Sequence, residues 1–222
     1  MKIIPIERTG LESKGRPVIS AVIPAFNEEK TIGDIVLRAL YHVDEVIVVD
    51  DGSSDDTSSI AAGAGAKVVR NELNRGILAA LREGFEAVEG EIVVTLDADG
   101  QHDPDEIPLL LEPILRNEAD LVIGRRPVLP YFSERTITAL TSLKVYVHDA
   151  SSGFRAVRRA IIEKMRLHGT CTCGTFILEA RSYGARVTEV LITVHERKEG
   201  RRRIKTKHIQ QLFYVLYDLI RY

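Results

Sequence analysis

The sequence predicts an α/β protein whose mostly parallel sheet carries helices on both faces. Short apolar runs alternate with stretches whose apolar residues recur at helical spacing. The runs, such as Ile92-Val93-Val94-Thr95-Leu96, are continuous rather than alternating, as strands buried on both faces are. Polar, acid-rich clusters follow them, and open parallel sheets bind ligands beyond those strand ends. At 222 residues, with 45% apolar residues and a net charge of −2, the chain has the length for one good core and the balance of an ordinary soluble protein. Nothing in that charge suggests a nucleic-acid partner.

Val18 to Pro24 reads as the first buried strand, and Ile32, Ile35, Val36, Ala39 and Leu40 give a helix behind Asn27. Glu45 to Asp50 repeats the unit, followed by a polar loop, Asp51 to Thr57, and an alanine-rich helix ending at Gly63-Ala64-Gly65. Lys67 to Arg70 is a third, short strand. Leu78, Leu81, Phe85 and Val88 share a face of the next helix, which leads into the Ile92 strand. Pro104 suits the first turn of a helix running through about Arg116, where its missing N–H is not needed. Asp120 to Gly124 is the fifth strand. Beyond it the rhythm changes: helices are expected near Val157 to Arg166 and Phe176 to Tyr183, with a surface helix within Tyr131 to Val147. Arg186 to His195 alternates enough for an antiparallel or edge strand.

Cys171 and Cys173 are too few for a disulfide framework and too close for an easy bridge, so they read as reduced structural thiols, with a metal role as the lesser alternative. Met1 to Arg16 has no apolar core of a signal peptide, and no apolar run reaches about 18 residues. Neither a leader nor a spanning helix is expected.

The Ile92 strand delivers carboxylates to its own end, at Asp97-Ala98-Asp99-Gly100-Gln101-His102-Asp103-Pro104. Two residues apart in extended chain, Asp97 and Asp99 lean to one side and can approach one hard divalent cation, which is useful if it bridges phosphate oxygens. An isolated Asp-x-Asp is more often just an acidic loop, and the rest of the chain has to decide.

Val22-Ile23-Pro24-Ala25-Phe26-Asn27-Glu28-Glu29, Val49-Asp50-Asp51-Gly52-Ser53-Ser54-Asp55-Asp56-Thr57, Asn74-Arg75-Gly76, Asp97-Ala98-Asp99 and Ser152-Gly153-Phe154-Arg155, in this order and spacing, resemble the family 2 glycosyltransferases. Within that family the chain is most similar, over roughly Ile19 to Arg203, to polyprenyl-phosphate glycosyltransferases such as dolichyl-phosphate mannose synthase. The resemblance implies a GT-A, Rossmann-like fold and an inverting transfer from a nucleotide sugar. It implies that Pro24, Ala25, Asn27 and Glu28 form the nucleoside pocket, with Asp50 accepting hydrogen bonds from the base. Asp97 and Asp99 would hold Mg2+ or Mn2+ against the diphosphate, helped by Gln101, for which a simple turn role is equally open. Arg125 would contact phosphate or sugar, while Arg126 reads as solvated. Ser152, Arg155, Arg197 and Arg203 would surround the acceptor phosphate, since guanidinium groups pair with phosphate bidentately. The family's Arg-x-x-Gly-x-Ser-Lys stretch appears here as Arg197-Lys198-Glu199-Gly200-Arg201-Arg202-Arg203, with arginine replacing the serine.

In this reading 1–17 is an N-terminal extension, 18–200 the GT-A catalytic domain and 201–222 a basic amphipathic helix. A lipid phosphate attacks the anomeric carbon. With a second pKa near 6 such a phosphate is largely dianionic at neutral pH and needs no general base. Asp103 and Asp105 remain open as bases, though a helix N-terminus explains them equally well. The expected reaction is hexose transfer, with GDP-mannose as donor, to a polyprenyl or dolichyl phosphate. The alternatives are transfer from a UDP-sugar to a saccharide hydroxyl, or a catalytically silent membrane-surface subunit that binds nucleotide. Ile209, Leu212, Phe213, Leu216 and Ile220 form a stripe behind Arg201, Arg202, Arg203, Lys205 and Lys207, the composition of a helix lying in a membrane interface. A helix packed on the body or on another subunit has the same pattern. The expected location is the cytoplasmic face of a membrane, with a membrane partner subunit compatible with the same sequence.

Overall fold

The structure is a computed structural model that describes residues 15–196 and 207–222. Seven strands form one sheet: β1 (Ile19–Ala25), β2 (Glu45–Asp50), β3 (Lys67–Arg70), β4 (Ile92–Thr95), β5 (Leu121–Arg125), β6 (Arg155–Arg158) and β7 (Val187–Leu191). Their order across the sheet is β3-β2-β1-β4-β6-β5-β7. The helices are α1 (Ile32–Ala39), α2 (Thr57–Gly63), α3 (Ile77–Ala87), α4 (Ile107–Leu115), α5 (Phe132–Thr141), α6 (Arg159–Ile162), α7 (Thr175–Ser182) and α8 (Lys207–Arg221).

Every side chain of β2 and β4 is buried, because helices cover both faces. Alternate residues of β1 and β2 serve different layers. Ala21, Ile23, Val46 and Val48 pack with α1 and α4, whereas Val22, Ile47 and Val49 pack with α3 and the α7 side. The stripe Ile32, Ile35, Val36 and Ala39 buries α1, and Ile107, Leu110, Leu111 and Ile114 bury α4. On the other face Gly84 lets α3 sit almost on the sheet, since a Cβ there would lie 2.4 Å from Val22 Cγ1.

The chain runs outward from β1 to β3 and then returns to place β4 on the other side of β1. This reversal opens a crevice beyond the C-terminal ends of β1 and β4, where doubly wound sheets take their ligands. β6 runs antiparallel between β4 and β5, with Arg155 opposite both Thr95 and Ile123. Its N-terminal end therefore arrives at the edge where the parallel strands end.

Two expectations are corrected. Val157 and Arg158, expected to open a helix reaching Arg166, end a strand over Arg155–Arg158, and helix follows only over Arg159–Ile162. Four residues carry no period of their own, and pairing on both sides decides their conformation. The last strand is at the sheet edge as expected, but it pairs parallel to β5.

The C-terminal helix is amphipathic in an unexpected sense. Its inner face buries Gln211, Val215 and Asp218, with Leu212 and Leu219 partly covered, and packs on α5 and α7. Ile209, Phe213, Leu216, Tyr217 and Ile220 face outward, Ile220 with 88% and Phe213 with 70% of its surface exposed. Phe132 at the start of α5, and Leu143 and Tyr146 just beyond its end, are also exposed. No helix among the described residues is long and apolar enough to cross a membrane.

Candidate active site

Beyond β4 the chain alternates between buried and accessible residues: Leu96 and Ala98 are buried, whereas Asp97 and Asp99 turn toward the crevice. The turn that follows is built by Asp99, whose Oδ1 accepts from the Gln101 N–H at 3.1 Å, and by Gly100 at φ 76°. Thr31 Oγ1 donates to the Ala98 carbonyl at 2.7 Å, tying the acidic loop to the start of α1. Under the loop His102 is buried and stacks on Phe154 at 5.3 Å, with Nδ1 3.5 Å from the Asp97 N–H. Burial pushes the His102 pKa down to about 4, so the ring is neutral at pH 7 and can accept.

Asp97 owes its place to Gly153. A Cβ at 153 would lie 2.7 Å from both Asp97 carboxylate oxygens, so only a bare backbone leaves room for them. Thr95 Oγ1 donates to the Gly153 carbonyl at 2.7 Å and fixes the two segments together.

Both carboxylates line a cavity of about 400 Å3. Its base is formed by Pro24 and Ala25 at the end of β1, Glu28 just after it, and Asp51, Asn74 and Gly76 beyond β2 and β3. The opposite wall is Ser151, Gly153 and the run Thr170-Cys171-Thr172-Cys173. Asp97, with 46% of its side chain exposed, and Asp99 suit a hard divalent cation in donor type and in facing one cavity. No group of three His, Cys, Asp or Glu side chains among the described residues could hold a metal ion unaided, so phosphate or water would complete the shell.

Several predicted residues fall elsewhere. Asp50 is fully buried: Oδ1 accepts from the Ser53 N–H at 2.8 Å and Oδ2 from the Ser58 hydroxyl. Asp51 lines the cavity instead, and its carboxylate also accepts from the N–H groups of Arg75 and Gly76, at 2.8 and 2.7 Å. One acid thus shapes the Asn74-Arg75-Gly76 turn and presents charge to the crevice. Asn27 does not line the cavity. At φ 55° it positions the loop, donating its N–H to Ser53 Oγ and accepting from the Ser54 N–H. Gln101 also lies off the cavity wall, and its backbone is what reaches Asp99.

On the acceptor side, Ser152 is buried with Oγ accepting from the Phe154 N–H at 3.3 Å, while Ser151 and Gly153 face the cavity. Arg125 ends β5 opposite Leu191 at the same sheet edge but does not line the cavity. Arg126, expected in solvent, makes a two-point ion pair with the buried Asp149, Nε–Oδ2 2.7 Å and Nη2–Oδ1 2.9 Å, with Glu134 at 3.5 Å. Burial opposes its charge, yet the Asp149 bonds hold Arg126 above the usual guanidinium range. Arg155 is 1% exposed with its guanidinium 4.6 Å over the Phe176 ring. Its Nε and Nη2 have no hydrogen-bond partner among the described residues, and burial lowers its pKa. Cys171 and Cys173 are both unbridged and buried, and the Cys171 thiol is pushed up by its hydrogen bond to Cys173 and by burial. Asp103 is structural: it caps the short turn Pro104–Glu106 and pairs with Arg38. Arg197 and Arg203 lie outside the described residues.

A family model described as glycosyl transferase family 2 matches residues 20–166. The chain belongs to glycosyl transferase family 2. The matched span holds the acidic loop, Gly153 and Arg155, and stops short of the Thr170–Cys173 wall and of α8. This glycosyltransferase is 34% identical over 225 residues to the undecaprenyl-phosphate 4-deoxy-4-formamido-L-arabinose transferase of Aeromonas hydrophila, covering 91% of this chain and 67% of that one. It is 29% identical over 227 residues to the dodecaprenyl-phosphate galacturonate synthase of Rhizobium johnstonii, covering 91% and 65%. The chain therefore spans about two thirds of these two relatives. The crystal structure of glucosyl-3-phosphoglycerate synthase from Mycobacterium tuberculosis with Mn2+, UDP-glucose and phosphoglyceric acid matches with a TM-score of 0.78 and 25% identity, over 91% of this chain and 80% of that one. With the observed sheet, that neighbour bears out the GT-A fold.

Proposed function

We propose that this glycosyltransferase moves a hexose from a nucleotide sugar to a polyprenyl phosphate, with inversion and with Mg2+ or Mn2+ held by Asp97 and Asp99. The observation that carries this reading is the unequal distribution of acids around the cavity. Its lining carboxylates are Glu28, Asp51, Asp97 and Asp99, all on the donor side or at its centre. The opposite wall, Ser151, Gly153 and Thr170 to Cys173, presents none. A sugar hydroxyl needs a base to remove its proton, whereas a phosphate does not. Behind that wall Arg155 carries buried N–H groups with no hydrogen-bond partner among the described residues, a placement that favours an anionic acceptor.

In this proposal Pro24, Ala25, Asp51 and Gly76 hold the nucleoside, and Asp51 rather than Asp50 is the acid facing the base. Asp97 and Asp99 would hold the ion, which would neutralise charge on the leaving diphosphate. His102 keeps the Asp97 backbone in register without adding a charge. The UDP-glucose bound in the mycobacterial crystal supports a UDP-linked donor over the GDP-mannose expected from sequence resemblance, and the two relatives' names support a polyprenyl-phosphate acceptor. The exposed apolar face of α8, following the basic run Arg201 to Lys207, would lie on the lipid surface that presents it.

Incubating the protein with labelled UDP- and GDP-hexoses, a short-chain polyprenyl phosphate and Mn2+ should move label into an organic-extractable, acid-labile lipid. Label appearing only on soluble glycans would replace this acceptor with a saccharide hydroxyl. Tight nucleotide binding with no transfer from any donor would leave a silent binding subunit.

A further inference from the structure

The inner face of α8 touches one segment almost residue by residue. Gln211 is fully buried, and its Oε1 accepts from the N–H of Thr170 at 2.9 Å, the hydroxyl of Thr170 at 3.2 Å and the N–H of Cys171 at 3.2 Å. Its Nε2 donates to the Cys173 carbonyl at 2.8 Å and to Thr175 Oγ1 at 3.0 Å. One turn on, Val215 packs over Gly174, where a Cβ would meet its Cγ2 at 2.9 Å. Two turns on, Asp218 binds His168 Nε2 at 2.8 Å. Gly169, at φ +108°, permits the approach, since a Cβ there would lie 2.6 Å from Gln211 Oε1. The segment so held includes Thr170 to Cys173, the acceptor-side wall of the cavity.

A 15-residue helix is marginal alone in water and is normally seated by its apolar stripe. Here that stripe points away from the protein. The inner face is held by Val215, Leu212 and Leu219 packed against the core and by these hydrogen bonds, whose net contribution in competition with water is about 1 kcal/mol each. The larger apolar side chains, Ile209, Phe213, Leu216 and Ile220, add to the seating of α8 only when something covers them. The sequence leading into the helix, Arg201, Arg202, Arg203 and Lys205, with Lys207 at its first position, selects an anionic lipid surface as the cover.

We infer that Gln211 is a positioning residue that couples contact of α8 with an anionic membrane surface to ordering of the Thr170–Cys173 cavity wall. This rests on the lipid-surface reading above but requires no particular sugar donor. The wall on which an acceptor would bear is then firm only when the protein sits where a lipid acceptor is found.

Hydrogen exchange of the full chain, followed by mass spectrometry with and without phosphatidylglycerol/phosphatidylcholine vesicles, tests this. In the wild type, vesicles should slow exchange in peptides covering 168–175 roughly fivefold, the size expected if local opening then costs one more net hydrogen bond. Phe213→Ser with Ile220→Ser, both on the outer face, should weaken vesicle sedimentation and abolish the slowing. Gln211→Leu should sediment with vesicles like the wild type yet exchange quickly in 168–175 under both conditions. Gln211→Glu, which keeps the acceptor for Thr170 and Cys171 but loses the donor to Cys173, should show a partial vesicle effect. Wild-type protein that binds vesicles with no change in 168–175 would overturn the inference, as would a full vesicle effect in Gln211→Leu. So would a dimer in solution that covers α8 and ignores vesicles. Because no turnover is measured, failure of the transferase assay and failure of this coupling are separate results.

Discussion

Gly153→Ala tests the acidic site at a single atom. An added Cβ would stand 2.7 Å from both Asp97 oxygens, whereas ordinary contact begins at 3.4 Å, so something must retreat by about 0.7 Å. The backbone has little freedom to do so. Thr95 binds the Gly153 carbonyl, and the next residue, Phe154, accepts from the Gly124 N–H at 2.8 Å. The accessible Asp97 side chain is the element able to move, and it would swing away from the position it shares with Asp99. Misplacement of a catalytic group by about 1 Å can reduce rate on the order of 100-fold, so a loss of roughly 30- to 100-fold in turnover is expected. Gly153 is not at positive φ, so alanine adds no backbone strain and the folded protein should melt within a few degrees of wild type. The assay is transfer rate against Mn2+ at saturating donor, with nucleotide binding measured separately. The half-saturating Mn2+ should rise while binding of UDP without metal stays the same. Wild-type turnover and an unchanged Mn2+ requirement would show that the close fit around Asp97 is packing and nothing more.

Asp99→Asn keeps the acceptor for the Gln101 N–H but removes the charge, and metal-dependent transfer should fall at least 100-fold with little change in melting temperature; activity near wild type would remove Asp99 from the metal site. Arg126→Leu strands the buried Asp149 and should destabilise by about 3–5 kcal/mol, a fall in melting temperature of roughly 10 °C by calorimetry, whereas a shift within 2 °C would mean the pair is dispensable. His102, near 6.5 unfolded and about 4 folded, makes the unfolded state bind the extra proton. Stability should therefore be complete above about pH 6.5 and fall as pH drops toward 4, by about 3 kcal/mol at most. His102→Gln should flatten that part of the melting-temperature profile, and an unchanged slope would assign it to other groups.

The parallel half of the fold was legible because β1, β2 and β4 are continuous apolar runs and the helices after β1 and before β4 carry apolar stripes that spacing alone reveals. β6 was not, since Arg155-Ala156-Val157-Arg158 owes its strand conformation to two neighbours far away in sequence. Site residues divide on the same line. Asp97 and Asp99 follow a strand directly, and their alternation survives into the loop. Asp50 and Asp51 show where such reading slips: Asp50 is still part of β2 and turns its carboxylate inward to the Ser53 and Ser58 groups, so the next residue faces the crevice. In the wall from Thr170 to Cys173 only the two cysteines stand out, and their spacing reads as structural thiols rather than as part of a cavity. Its partner, Gln211, lies about 40 residues away, on the face of α8 opposite the exposed apolar stripe.

The two features that the sequence hid are also the two that make the site asymmetric. Had β6 run parallel to its neighbours, Ser151 to Arg155 would begin at the far edge of the sheet, and the crevice would be bordered by strand ends alone. Those ends supply acids, because a carboxylate just past a parallel strand meets either backbone N–H groups, as Asp51 does, or a cation. Reversing one strand brings in a different chemistry: a glycine that admits Asp97, a buried guanidinium behind it and a thiol- and hydroxyl-lined wall held from outside by α8. In the proposed reaction a nucleotide diphosphate with its metal takes the first side and an anionic acceptor the second. The prediction that separates these halves is that Arg155→Met, which replaces the guanidinium over Phe176 with an uncharged, unbranched side chain, should raise the KM for acceptor phosphate severalfold and leave UDP and Mn2+ binding as in wild type. Equal losses for donor and acceptor would mean that the two sides of the cavity are not chemically divided in this way.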